Sequence, residues 1–455
     1  MMRISFFNRV EKNFFKLILF VVALILIINI FGYFHELGYD GEHHKWYVEV
    51  LPLNLPSEED TKEFFSPPLP YLFPSIIDSV CDKLNEAYSI NFHCTYLYGK
   101  LTQILQALMF IGIIFLIKDI SEIIEPKNIK YLNSVLLLFA IIPVSYKSFA
   151  MIRGEPYISF FMFLLIAIII RVVYKKIEIT RNLTIFTGII LGFIGLSRQW
   201  GLLFFPSLLV LLVLVIRKEN KNFNIKFVKY SFFAFLTSLL VFGWFYLMLF
   251  LDYGSITAFN REPVSFSFNN QPSSFYFGLG LDDLFSRPIR GFSMTNMLFP
   301  VLYSDIWGDY WGYFTVTMGR GGLEPNYEIV KYLGRVNFVS LIPAMIMVLG
   351  IVKFLLKLNT DYSNKIFYTF IFSAIAFFWI GYMWFLIKYP IPSKGDTIKG
   401  TYILPLIHLL PFFGAFLLDK IKEMSAKVYN LIFGILILIL IHNIPAMITR
   451  FFGGM

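Results

Sequence analysis

Residues 16–44 read KLILFVVALILIINIFGYFHELGYDGEHH, an unbroken apolar run followed at once by a dense polar cluster. Between Leu17 and Phe34 there is no Asp, Glu, Lys or Arg, and about 20 such residues carry a helix across a bilayer core. The run must be helical, because an open backbone finds no hydrogen-bond partner in hydrocarbon. It follows Arg3, Arg9, Lys12 and Lys16 as a signal peptide would. It is long, however, and no small-residue cleavage pattern comes after it, so it reads as an uncleaved anchor.

The same pattern recurs along all 455 residues, which are 57% hydrophobic and 15% charged with a mean hydropathy of +0.67. A water-soluble surface does not tolerate that balance. Charge-free runs near 17–34, 101–117, 131–146, 157–170, 183–197, 201–216, 230–251, 336–352, 366–386, 402–418 and 428–448 predict an all-α integral membrane protein. Its transmembrane helices number about eleven.

The net charge of +9 sits in short connections between these runs. It therefore sets topology and does not point to nucleic acid as a partner. Arg171, Lys175, Lys176 and Arg181, then Arg217, Lys218, Lys221, Lys226 and Lys229, are the clearest inner clusters. They put the N-terminus inside and the C-terminus outside. Ser197-Arg198-Gln199-Trp200 must then form a tight outer turn between two short helices.

One membrane domain, 1–455, is expected, with two long connections, 35–100 and 252–335, both on the outer side. Chemistry is expected there. The first connection alternates apolar and acidic residues, which suits short helices along the interface or an irregular loop packed on the bundle. It also holds Cys81 and Cys94. Outside the cell these could pair or stay as thiols, since sequence does not supply their Cα separation.

The polar cluster after the first run carries the chemistry. Asp40 and Glu42 are two apart, so an extended backbone would aim both carboxylates to one side and a helix would splay them. A carboxylate that takes a proton from an acceptor hydroxyl belongs where a lipid headgroup can arrive. Charged residues that merely end a span explain less well why two carboxylates and three histidines, His35, His43 and His44, share so few positions. The histidines with Glu42 are zinc-ligand types, but their spacing matches no regular zinc motif. No cofactor is expected with certainty; a divalent ion, if one binds, would use Asp40, Glu42 and His43.

These residues resemble the GT-C superfamily of membrane glycosyltransferases, in its protein-O-mannosyltransferase-like and aminoarabinose-transferase-like branch. Asp40-Gly41-Glu42 is similar to that family's acidic motif in the first outer loop, followed by a His as at His43 or His44. Ser66-Pro67-Pro68-Leu69-Pro70-Tyr71 resembles its His-Pro-Pro-Leu-Tyr stretch, with Ser66 in place of His. Arg153-Gly154-Glu155 is similar to an Arg-x-Glu that opens the fourth helix. That resemblance implies Glu155 as a second acidic site residue, with Arg153 near the phosphate. Arg198-Gln199 matches a polar pair in the third outer loop. Lys399-Gly400-Thr401-Tyr402-Ile403-Leu404-Pro405 looks like a Gly-Arg-Tyr-Leu-Leu-Pro stretch. Here Thr401 replaces the usual Arg, leaving Lys399 as its substitute and Tyr402 as a substrate contact. The long loop after the seventh helix resembles a substrate lid.

The implied activity is inverting transfer of a sugar from a polyprenyl-phosphate donor to a hydroxyl of a lipid, glycan or protein acceptor, on the outer or periplasmic face of the cell membrane. Asp40 or Glu42 would be the base, and Glu155 would position the acceptor or bind a metal. Arg153, Arg198 and Lys399 would face the phosphate. Each could instead snorkel to headgroups. A lipid-linked sugar flippase or other transporter is the rival. It should carry ionisable residues or broken helices at mid-membrane, and none of the eleven runs contains Asp, Glu, Lys or Arg. In the second loop, Trp307 and Trp311, four apart on a helix, would share a face for sugar stacking or an interfacial belt. His408 and His442, alone inside spans, read as polar packing.

Overall fold

This computed structural model describes residues 2–291, 294–315, 327–358 and 364–449, with side chains from residue 13 onward. The described residues form helices and connections, with no strand among them. In chain order the helices are α1 Met2–Gly32, α2 Gly41–Val50, α3 Leu69–Tyr88, α4 Cys94–Ile124, α5 Ile129–Ala140, α6 Pro143–Ala150, α7 Glu155–Val173 and α8 Arg181–Ser197. There follow α9 Phe205–Lys218, α10 Lys221–Tyr253, α11 Ser273–Phe277, α12 Leu281–Ser286, α13 Leu298–Trp307, α14 Tyr327–Leu356, α15 Lys365–Lys388, α16 Leu404–Met424 and α17 Ala426–Met447.

Eight helical stretches among the described residues are long and apolar enough to cross a membrane, and nine if the bent pair α5 and α6 counts as one. The expected runs at 101–117 and 183–197 fall inside α4 and α8. The run at 131–146 is not one straight helix. It breaks between Ala140 and Pro143, and the two pieces meet at 59°. Pro143 has no N–H to continue the ladder, and it pushes Ile142 into extended backbone, φ −89° and ψ 106°.

The stretch 400–424 and α7 form the centre, 89% and 78% buried, while the other qualifying stretches are 28–50% buried. The outer faces carry large exposed apolar side chains, among them Phe20 and Phe31 on α1, Phe232, Leu240 and Leu251 on α10, and Phe338 and Met345 on α14. A surface of that kind and size belongs against lipid. Inside, sparse amide contacts fix the packing. Asn29 of α1 donates to the carbonyl of Met447 at 2.9 Å and accepts from the Thr449 N–H at 2.9 Å.

In the first connection, α3 buries Pro70, Tyr71, Pro74 and Cys81 and leaves Leu72, Ile76, Val80 and Leu84 exposed. That outward apolar stripe suits a helix at the membrane interface. Cys81 of α3 and Cys94 at the start of α4 form a disulfide with a Cα separation of 5.6 Å. It closes a short loop, so replacing both cysteines by Ser should lower stability by about 2–4 kcal/mol. Thermal unfolding in detergent, with proteolysis between α3 and α4 as local readout, tests this. Unchanged behaviour in both would mean that packing alone holds α3.

Candidate functional site

The ends of α1, α6, α7, α8 and α13 and the start of α16 meet around Tyr39, which lies between α1 and α2. The Tyr39 ring is surrounded by cations: Lys399 Nζ is 4.8 Å, the Arg153 guanidinium carbon 5.3 Å and Lys147 Nζ 5.7 Å from its centroid. Burial holds the phenol well above its usual pKa. Its hydroxyl donates to Asp305 Oδ1 at 2.8 Å.

Asp40 is the next residue. It caps the start of α2 from the left-handed region, φ 54° and ψ 23°, a conformation that Asp tolerates better than most side chains. Gly41 is required behind it, because a Cβ there would stand 2.3 Å from the Glu36 carbonyl oxygen. The Asp40 carboxylate, 45% exposed, pairs with Lys399 Nζ at 3.2 Å. Lys399 beside it holds the carboxyl far below the usual carboxylate range, against the opposing effect of burial.

Glu42 falls in the first turn of α2, so helix geometry splays it from Asp40. It is not among the residues lining the cavity described below. His43 is half-buried with its ring 4.8 Å from that of Trp46. His44 is buried and meets Tyr71 Oη through Nδ1 at 2.7 Å. Burial pushes the His44 imidazole down to about 3, so it is neutral at physiological pH. Among the described residues no three His, Cys, Asp or Glu side chains could together hold a metal ion. Asp40, Glu42 and His43 are not brought together as such a group.

Behind the cavity wall lies a buried ion-pair chain. Arg153 Nε is 3.5 Å from Glu155 Oε2, and Glu155 Oε1 is 3.7 Å from Arg198 Nε. Arg198 Nη1 then donates to Glu63 Oε2 at 2.7 Å and approaches Ser66 Oγ at 2.5 Å. Gly154 lets the two segments meet, since a Cβ there would stand 2.1 Å from the Ser197 carbonyl oxygen. The Arg153 nitrogens have no hydrogen-bond partner among the described residues. Thr401 is fully buried, and Tyr402 packs its ring 5.4 Å from Lys399 Nζ and 5.8 Å from the Arg153 guanidinium carbon. Asp40, Arg153, Glu155, Arg198, Lys399 and Tyr402 are thus one neighbourhood.

Four residues of this neighbourhood carried no signal in the sequence reading: Glu63, Lys147, Asp305 and Asp309. Lys147 of α6 is 1% exposed and pairs with Asp305 Oδ1 at 2.5 Å and Asp309 Oδ1 at 3.9 Å. Asp305 Oδ2 accepts the Gly400 N–H at 2.6 Å. Asp305 therefore joins α13 to α6, to Tyr39 and to the turn before α16. Glu63, three residues before Ser66, accepts the Ser66 hydroxyl at 2.7 Å. Trp307 closes α13 and Gly308 breaks the helix, so Trp311 lies beyond it and the two do not share a helical face. Trp311 lines the cavity and donates through Nε1 to the Ile398 carbonyl at 3.0 Å. His408 packs against Ser145 at 2.9 Å, as expected of polar packing.

Part of this neighbourhood borders a cavity of about 770 Å³ lined by Tyr39, Asp40, Glu63, Lys399 and Tyr402, with Trp311 and other residues of the second connection and residues of 391–397 completing it. Fold and site together define a class: a polytopic helical protein with a charge-lined cavity at one end of its bundle.

No known family's sequence pattern matches the chain, and no curated protein does. Among solved structures the chain is similar to an oligosaccharyltransferase of Archaeoglobus fulgidus, described as a complex with zinc and sulfate. The identity is 12% and the TM-score 0.49, over 95% of this chain and 53% of that one. The chain therefore spans about half the length of that structure.

Proposed function

We propose that the chain is a GT-C-type membrane glycosyltransferase that moves a sugar from a polyprenyl-phosphate donor to an acceptor hydroxyl, at the outer or periplasmic face of a cell membrane. The observation that carries this reading is the half-open Asp40 carboxylate, paired with Lys399 in a cavity at the end of an apolar bundle. Beside it, Arg153 has nitrogens without hydrogen-bond partners.

In this reaction the acceptor oxygen attacks the anomeric carbon as the bond from that carbon to the phosphate oxygen breaks. The hydroxyl proton passes to Asp40, and polyprenyl phosphate leaves as an anion. A single displacement inverts the configuration. A carboxylate held so strongly ionised is a weak base at rest. As charge grows on the departing phosphate, Lys399 is drawn to it and its hold on Asp40 loosens. The carboxylate then becomes more basic when the proton arrives. Arg153 stabilises the leaving group through its free donors. Glu155 and Glu63 fix the two arginines.

The test is transfer of radiolabelled sugar from a panel of polyprenyl-phosphate sugars, in membranes with matched amounts of wild type or Asp40→Asn. The variant should lose about 10²–10⁴-fold of the rate. Equal transfer by both would remove Asp40 from the mechanism. The rival flippase reading draws on the broken pair α5 and α6 and on buried Lys147, which are features of transport pathways. It would be favoured by movement of lipid-linked sugar across vesicles with no transfer from any donor.

A further inference from the structure

The charges around the cavity are unevenly matched. In the lining and in the buried chain behind it, Lys399 has Asp40, Arg198 has Glu63 and Glu155, and Arg153 has Glu155. Three cations and three anions balance there. The cavity lining also carries Arg261, Arg290 and Lys394, with Asp396 as a further acidic residue, two positions from Lys394. None of these three cations makes an ion pair among the described residues. Their charge is not consumed by the fold.

Arg290 is held in place, which separates it from a freely moving surface side chain. Its backbone N–H donates to the Tyr310 carbonyl at 2.8 Å, and its Nη1 donates to Tyr313 Oη at 2.9 Å. Its guanidinium carbon lies 4.8 Å from the Tyr313 ring centroid, and that ring stands 4.9 Å from the ring of Tyr39. Arg290 is therefore tied by two aromatic rings to the residue preceding Asp40. Part of its guanidinium fork remains for a planar or tetrahedral anion.

We propose that Arg261, Arg290 and Lys394 form a second anion subsite that holds the phosphate or carboxylate of an anionic saccharide acceptor. The proposal rests on the glycosyltransferase reading for the word acceptor. The donor phosphate is met by Lys399 with Arg153 buried behind it, and the unpaired cations of the lining are left for a second anion. Asp40 lines the same cavity as both. A neutral acceptor would leave the three cations of the lining without a counter-charge beyond Asp396.

The test is direct binding to the full-length protein in nanodiscs of neutral phosphatidylcholine with saturating polyprenyl phosphate, which occupies Lys399 and Arg153, followed by ligand-observed NMR titration. The probes are glucose 6-phosphate and glucose. Wild type should hold the phosphorylated sugar about tenfold more tightly than glucose, the scale of one or two charge-assisted hydrogen bonds. In Arg261→Gln/Arg290→Gln/Lys394→Gln that preference should shrink to about twofold or less, and in the single variant Lys394→Gln, whose side chain is exposed, to an intermediate value. Asp40→Asn should keep it.

A preference absent from wild type, or unchanged in the triple variant, overturns the proposal. So does its loss when phosphatidylglycerol replaces part of the neutral lipid beyond what added salt of equal charge produces, because headgroups would then be the occupants. The expected binding pattern in a protein that transfers nothing from any donor would uphold the subsite and sink the glycosyltransferase reading. Transfer without the binding pattern would do the reverse.

Discussion

Lys147→Met should destabilise the protein by about 3–5 kcal/mol, the cost of stranding one partner of a buried ion pair. Asp305 is fully buried, and Lys147 is the cation at its carboxylate, 2.5 Å away. The Tyr39 hydroxyl and the Gly400 N–H also donate to Asp305, but neutral donors do not offset a whole charge in apolar surroundings. The double variant Lys147→Met/Asp305→Asn should recover part of the loss, since position 305 then strands no charge while Asp309, 3.9 Å from Lys147 in the wild type, keeps its own. Thermal unfolding of the single and double variants in detergent measures the coupling. A single variant as stable as wild type would show that Asp305 does not depend on its cation. Because Asp305 also anchors Tyr39 and Gly400, the flanking residues Asp40 and Lys399 should shift in the single variant, and transfer should fall even where the protein remains folded.

Arg198→Met should cost a similar amount, about 3–5 kcal/mol, with a pH signature of its own. Burial pushes the Glu63 carboxyl up, and the Arg198 guanidinium, helped by His44 and the Ser66 hydroxyl, outweighs it, so the group ends at about 2 against the usual 4.5. A depressed folded pKa adds stability that is complete above about 4.5 and is lost as pH falls toward about 2. Without Arg198 the burial remains and the counter-charge does not, so the folded pKa moves above 4.5 and the sign reverses. The deficit of the variant against wild type should therefore be smaller at about pH 4 than at about pH 8 and widen as pH rises between them. Unfolding curves across that range decide it. A deficit independent of pH would mean that lost packing of the Arg stem, and not the Glu63 charge, sets the cost.

Much of the helical frame could be read in advance because it is local. Each charge-free run reports its own need for a helix in hydrocarbon, whatever surrounds it. Each falls largely on a helix, with edges that overrun α1 and α17 or start in the 3-10 turns before α9 and α16, or, at 131–146, on a broken pair. The break itself was signalled by Pro143, which the length of the apolar run concealed. The neighbourhood of Asp40, Arg153, Glu155, Arg198 and Lys399 was approachable through residues clustered at the ends of runs.

Its other half was not. Lys147 stands one residue beyond a run and looks like an ordinary boundary cation, yet its partner Asp305 is 158 positions away, and Glu63 is 135 positions from Arg198. No local period records such pairings. The two-residue spacing of Asp40 and Glu42 was compatible with a strand-like or a helical arrangement, and only the cap at Asp40 decides for the second.

The left-handed backbone at Asp40 also limits how this position can be interrogated. Most replacements there change two things at once, the carboxylate and the ease of holding φ 54°. Alanine would add backbone strain of about 1–2 kcal/mol to the loss of charge, and glutamate would keep the charge while displacing it and straining the turn. Asparagine keeps the conformational preference and the shape while removing only the anion. Rates from the asparagine variant can be assigned to chemistry; those from an alanine scan at this position combine chemistry with misplacement of α2.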